Sequence, residues 1–179
     1  MAIIDVFNGD ADGICALQQL RLQEPCASTL VSGIKREIDL LRRVEAAAGD
    51  LVTVLDLSLD KNRADLQRLL EQGVEIRYFD HHYAGDIPNH PGLVTLIDTA
   101  PEICTSLLVD QTLEGRFRAW AVVGAFGDNL DNSARQAARD LDLDARQLDR
   151  LRELGIYLNY NGYGATLEDL HFPPDELFR

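Results

Sequence analysis

Tyr78-Phe79-Asp80-His81-His82 closes the apolar run that begins Val74-Glu75-Ile76-Arg77. An Asp-His-His triplet leaving a strand puts at least one imidazole at the mouth of a sheet. Histidine there is a natural ligand for a first-row metal ion. Taken alone, the triplet reads equally well as a polar loop with one satisfied histidine. The rest of the chain decides between these, because it delivers carboxylates to the same kind of position three more times.

The run Ala2-Ile3-Ile4-Asp5-Val6-Phe7 reads as a first buried strand ending at Asn8-Gly9-Asp10. Gly9 and Gly13 flank the acidic pair Asp10 and Asp12 and permit a tight strand-to-helix turn. A helix follows from Ala11, with Ile14, Leu17 and Leu20 on its apolar face, and Pro25 closes it. Thr29–Val31 is a second strand. Ile38, Leu41 and Val44 predict a helix over 37–48, stopped by Gly49. Leu51–Leu55 is a third strand ending at Asp56, and a helix from Asp60, a plausible N-cap, runs to Gln72. The strand over 74–79 is the fourth, and 93–97 the fifth. After Pro101 the pattern turns helical, over 103–113, 116–126, 133–141 and 144–158, with a short helix in the tail. Strands alternating with helices predict an α/β fold, a five-stranded parallel sheet with helices on both faces and right-handed crossovers, followed by a helical C-terminal segment. Ligands bind such sheets beyond the carboxyl ends of the strands. Asp10, Asp12, Asp56 and Asp80-His81-His82 all stand there, and Asp128 arrives from the helical half.

Composition narrows the field. The 179 residues suit one domain, large enough to bury a core without disulfides. No run is long enough for a membrane helix, and the N-terminus has no signal-peptide pattern. Cys15, Cys26 and Cys104 are scattered in apolar contexts and read as buried thiols of a cytoplasmic protein. The formal charge is −13, from 30 acidic and 17 basic residues. That argues against a broad face for long double-stranded nucleic acid, since phosphate contacts come from Lys and Arg. It leaves room for a small phosphate ester at a local metal site.

Two unpaired carboxylates about 5 Å apart repel by roughly 3 kcal/mol at an effective dielectric near 20. Gathering several at one sheet edge needs protonation, basic partners or cations. No Lys or Arg adjoins Asp10, Asp12, Asp80 or Asp128 in sequence, so cations are the economical answer. Carboxylates mixed with imidazole favour Mn²⁺, Fe²⁺ or Zn²⁺ over Ca²⁺. A lone strand-end Asp is often only the N-cap of the next helix. A receiver-type acidic pocket would want a Lys after strand five, where Asp98-Thr99-Ala100-Pro101 stands instead.

Four motifs in order resemble the DHH phosphoesterase superfamily, which includes RecJ-type exonucleases, oligoribonuclease/pAp phosphatases, exopolyphosphatases and family II inorganic pyrophosphatases. They are Asn8-Gly9-Asp10-Ala11-Asp12-Gly13, Val54-Leu55-Asp56, Asp80-His81-His82 and Gly124-Ala125-Phe126-Gly127-Asp128. The resemblance covers about residues 1–132, a DHH-type catalytic domain; 133–179 would be a helical connector. It implies two metal ions, typically Mn²⁺, with Mg²⁺, Fe²⁺ or Zn²⁺ as alternatives. Asp56 would bridge them, Asp10 would serve one, and Asp12, His81 and Asp128 the other. His82 would face the substrate phosphate and Asp80 would support the histidine pair. Such a pair of ions would activate water and polarise a phosphoryl group.

Two departures stand out. Val6 and Asn8 occupy positions where some relatives carry a His or an acid, so Asn8 is at best a weak ligand. No second, substrate-binding domain is found in the chain. The expected activity is a phosphoesterase acting on short oligonucleotides or small nucleotides. The competing reading is a non-catalytic metal- or nucleotide-binding module that needs or regulates a partner. Lys35 and Arg36, with Lys61 and Arg63, lie near helix starts on the strand-end side and are candidates to hold phosphate. Tyr157, Tyr160 and Tyr163 either pack on the domain's own core or form a homodimer face.

Overall fold

The computed structural model describes residues 1–179. Five parallel strands, β1 (Ile3–Phe7), β2 (Thr29–Val31), β3 (Leu51–Leu55), β4 (Glu75–Asp80) and β5 (Leu93–Ile97), form one sheet in the order β2-β1-β3-β4-β5. The central strands are buried almost throughout, as a sheet covered on both faces requires. At the edge, β5 alternates and leaves Val94 and Leu96 exposed. The chain leaves β1 toward β2 and then jumps back across it to β3. The crevice between β1 and β3 is therefore the topological switch point, where ligands of such sheets bind.

Of seven helices, α1 (Ala11–Gln23) and α2 (Leu59–Glu71) connect strands, and α3 (Thr105–Thr112), α4 (Arg118–Gly127), α5 (Asp131–Ala137), α6 (Ala145–Asn161) and α7 (Pro174–Phe178) follow the sheet. One face is sealed by α2, with Leu66, Leu69 and Leu70 against Val52, Val54, Ile76 and Tyr78. On the other, Ile14 and Leu17 of α1 and Val109 of α3 meet Phe7 and Leu55. Behind them α4 packs on α1 and α6. The approach is close enough that a Cβ on Gly127 would lie 2.2 Å from the Ala11 Cβ and 2.8 Å from the Gly155 carbonyl oxygen. No helix is long and apolar enough to cross a membrane.

Four local expectations are corrected. The helix over 37–48 is absent; a single 3₁₀ turn, Leu40–Arg43, takes its place. Leu40, Leu41 and Val44 are buried as the spacing implies. The backbone makes only short turn-type bonds to itself, such as Val44 N–H to the Leu41 carbonyl, and is otherwise bonded to α2. Asn62 donates to the Ile38 carbonyl (2.6 Å) and accepts from the Leu41 N–H (3.1 Å), and Arg68 donates to the carbonyls of Leu41 and Val44. Ser58, not Asp60, precedes the first turn of α2, and Asp60 turns to Arg63 and Lys61. Cys26 is exposed, because the turn after Pro25 lies outside the core. Tyr157, Tyr160 and Tyr163 do not pack into the core; each is more than half exposed.

Candidate metal centre

The end of β1 delivers Asp10 into the first turn of α1. Its Oδ1 accepts from the N–H groups of Asp12 (3.1 Å) and Gly13 (3.2 Å), so Asp10 is the helix cap as well as a strand-end acid. Asp12, in the same first turn, faces the start of α3. There its two oxygens accept the backbone N–H of Thr105 (2.7 Å) and Ser106 (2.8 Å). Asp56 ends β3 with φ at +60°, a left-handed conformation that Asp tolerates better than most residues. It is buried, with the Thr105 hydroxyl donating to Oδ1 at 3.2 Å. A buried acid in a rarely used backbone conformation is a costly arrangement of the kind that collects at functional sites.

The triplet after β4 divides its work. His81 turns Nε2 into the carboxylates, 3.4 Å from Asp56 Oδ1, 3.8 Å from Asp128 Oδ2 and 3.9 Å from Asp12 Oδ2. Asp128 reaches this point from the C-terminus of α4. His82 is held from behind by Asp80, Nδ1 to Oδ1 2.7 Å, and stands 3.8 Å from Asp56. The structure thus brings Asp12, Asp56, Asp80, His81, His82 and Asp128 together. Asp12, His81 and Asp128 offer three ligand atoms within 4.8 Å of one another, as do Asp56, His81 and His82.

Asp10 has a different neighbour. Lys35, from the loop after β2, donates to Asp10 Oδ2 at 2.6 Å and to Asn159 Oδ1 at 2.7 Å. Asn8 donates to the Lys35 carbonyl (3.3 Å). Arg36 is exposed and apart. Lys61 pairs with Asp60, while Arg63 donates to the carbonyls of Ala84 and Asp86 and so braces the loop that follows the triplet. Thr105, Ser106 and Asn159 were not legible as site residues. A helix start rich in hydroxyls after Pro101 was a signal for the first two; for Asn159 there was none.

The electrostatics carry the cost of this gathering. Burial, then the charges of Asp10 and Asp12, hold the Asp56 carboxyl well above the usual carboxylate range. Burial and Asp12 push Asp128 up to about 6. The Asp80 hydrogen bond raises His82. For Lys35 burial acts downward, yet Asp10 outweighs it and the ammonium is held above its ordinary value. No Lys or Arg pairs with Asp12, Asp56 or Asp128. Asp80 Oδ2 and Asn8 Oδ1 are buried acceptors with no donor. Acidic oxygens short of positive partners, with one imidazole among them, are a donor set that fits a first-row divalent ion.

Solved structures share this architecture. The manganese-bound exonuclease RecJ superposes with a TM-score of 0.58 at 18% identity, over 90% of this chain and 53% of that one. The fold is RecJ-like. Thermus thermophilus RecJ with Mn²⁺ matches at TM-score 0.51 and 16% identity, over 98% of this chain and 34% of its own. CDC45 from Entamoeba histolytica matches at 0.54 and 11%, over 80% and 34%. The chain thus spans about half of one RecJ chain and about a third of the other two structures. No family model and no curated protein sequence matches it. At these identities the likeness is one of fold.

Proposed function

We propose that the chain is the metal-binding lobe of a phosphoesterase, acting on small nucleotides or the ends of short oligonucleotides with Mn²⁺ as the preferred ion. The observation that carries this is His81 Nε2 standing 3.4–3.9 Å from carboxylates of three separate elements at the switch point of the sheet. Manganese in the RecJ structures that share the fold supports the choice of ion.

Asp12, Asp56, His81 and Asp128 would hold the ion. Bound there, it would supply Lewis-acid polarisation of a phosphoryl oxygen and a lowered pKa for water. The protein's own groups do the rest. His82 Nδ1–H donates to Asp80 Oδ1 in a 2.7 Å bond that favours the charged imidazole, and this orients Nε2 toward a phosphate oxygen or a leaving group. Thr105 locks Asp56, and the α3 N-terminus locks Asp12, so the acidic oxygens are oriented before substrate arrives. The acidic surface repels long polyanions, while a single phosphate can enter at the edge where His82 remains partly exposed.

The test is turnover by the purified chain with Mn²⁺ of bis-p-nitrophenyl phosphate, a dinucleotide and pAp, beside Asp56→Ala and His82→Gln. Turnover is expected to vanish in the first and to fall about 10²–10⁴-fold in the second, with Mn²⁺ retained in the second. Mn²⁺ bound without turnover would favour a binding module that needs a partner. Absence of both bound metal and turnover would refute the reading.

A further inference from the structure

The position of Lys35 does not fit a two-ion centre. In that arrangement Asp10 would be a ligand of the first ion. Here Oδ1 of Asp10 caps α1 and Oδ2 accepts the Lys35 ammonium at 2.6 Å. The residue two before it is Asn8, a neutral amide that is hydrogen-bonded to the Lys35 carbonyl. We infer that the Lys35 ammonium is the resident cation at this position, and that the chain binds one divalent ion, at Asp12, Asp56, His81 and Asp128, instead of two. The inference rests on the metal-centre reading above and sets its stoichiometry at one ion, where the sequence resemblance implies two.

Lys35 is placed, not draped. Its own N–H donates to the Gly162 carbonyl at the end of α6 (2.9 Å), and its carbonyl accepts from Asn8. Its ammonium bridges Asp10 and Asn159 (2.7 Å) and stands 5.7 Å from the Tyr163 ring centroid. The loop carrying it lies tight against β1, since a Cβ on Gly9 would lie 1.9 Å from the Gly33 carbonyl oxygen. Groups from the β1 end, the β2 loop and the end of α6 therefore fix one ammonium at three points. A divalent ion on Asp10 would stand beside that ammonium in a largely buried setting, and their repulsion would not be screened as at a surface. The two cations compete for one oxygen, and the lysine is tethered. A lysine has three N–H donors, of which Asp10 and Asn159 take two. The third is available to a substrate phosphate oxygen, a role a point charge on a partly exposed stem performs well.

The experiment is Mn²⁺ stoichiometry by equilibrium dialysis, with electron paramagnetic resonance to separate isolated from spin-coupled ions, on the whole chain and on Lys35→Met. Methionine keeps the stem and removes the charge. The expected result is one ion per wild-type chain, with an isolated-ion spectrum, and two coupled ions in Lys35→Met. Two coupled ions in the wild type would overturn the inference and leave the metal-centre reading standing. One ion in both proteins would show that Lys35 is not what excludes the second, and would equally overturn it. No ion in either would overturn the metal-centre reading itself and the inference with it.

Discussion

Replacing Asp128 by Asn should stabilise the metal-free protein, although it removes a proposed ligand. The Asp128 carboxylate makes no hydrogen bond; the ring nitrogen His81 Nε2 stands 3.8 Å from it. Asn is close in shape and keeps the fold but not the charge. Burial, then Asp12, raise this carboxyl from 3.8 to about 6, a difference worth roughly 3 kcal/mol. The side chain keeps 23% of its exposure, so solvent screening brings the working figure to about 2 kcal/mol. At about 2–4 °C per kcal/mol for a domain of this size, the variant should melt some 4–8 °C above wild type at pH 7.5 in EDTA. The pH dependence follows in sign. A carboxyl whose folded value lies above its unfolded value contributes stability that is full below about 3.8 and is lost as pH rises through about 6. Metal-free wild type should therefore melt progressively lower between pH 5 and 7.5, with Asp56 acting in the same direction, and the variant should change less. Mn²⁺ at about 100 times its Kd should add ~2.7 kcal/mol to wild type and less to the variant, reversing the order. Differential scanning fluorimetry across pH, with and without Mn²⁺, reads all of this. A variant that melts below metal-free wild type, or a wild type whose melting point does not fall over that pH range, would refute the view that these carboxylates are held together against repulsion.

Three further outcomes are expected. Thr105→Val removes the hydroxyl on Asp56 and should weaken Mn²⁺ binding about 10–100-fold by calorimetry, with the fold changed by no more than about 1.5 kcal/mol in urea. Arg21→Ala strands Asp5, fully buried and otherwise held only by Ser28, and should cost about 3–5 kcal/mol in urea unfolding while leaving metal affinity intact, because the pair lies at the far end of α1 from the site. Gly127→Ala puts a methyl group into the contact between α4, α1 and α6 and should cost about 1–3 kcal/mol; it should also displace Asp128, so Mn²⁺ affinity falls together with the melting temperature.

The fold was legible because its signals are local. Alternation of strand and helix and the acids at the ends of β1, β3 and β4 need only a few neighbouring residues each. Core positions were legible even where conformation was not. Leu40, Leu41 and Val44 are buried as their spacing requires, yet Asn62 and Arg68 take the backbone groups that a helix would have paired. Periodicity reports which side chains leave water. It does not report which partner satisfies a carbonyl when a better donor arrives from a distant segment.

The sequence by itself determined a parallel α/β sheet with Asp10, Asp12, Asp56, the Asp80-His81-His82 triplet and Asp128 at one edge. Only the tertiary structure decided how those acids are shared out. It locked Asp12 to the α3 N-terminus, 93 and 94 residues away in the chain, and hung the Thr105 hydroxyl on Asp56. It also set Lys35 between Asp10 and Asn159, the latter 124 residues further along. The physical reason is that a carboxylate oxygen is satisfied by whichever donor the packing delivers, and packing joins segments whose sequences carry no mark of one another.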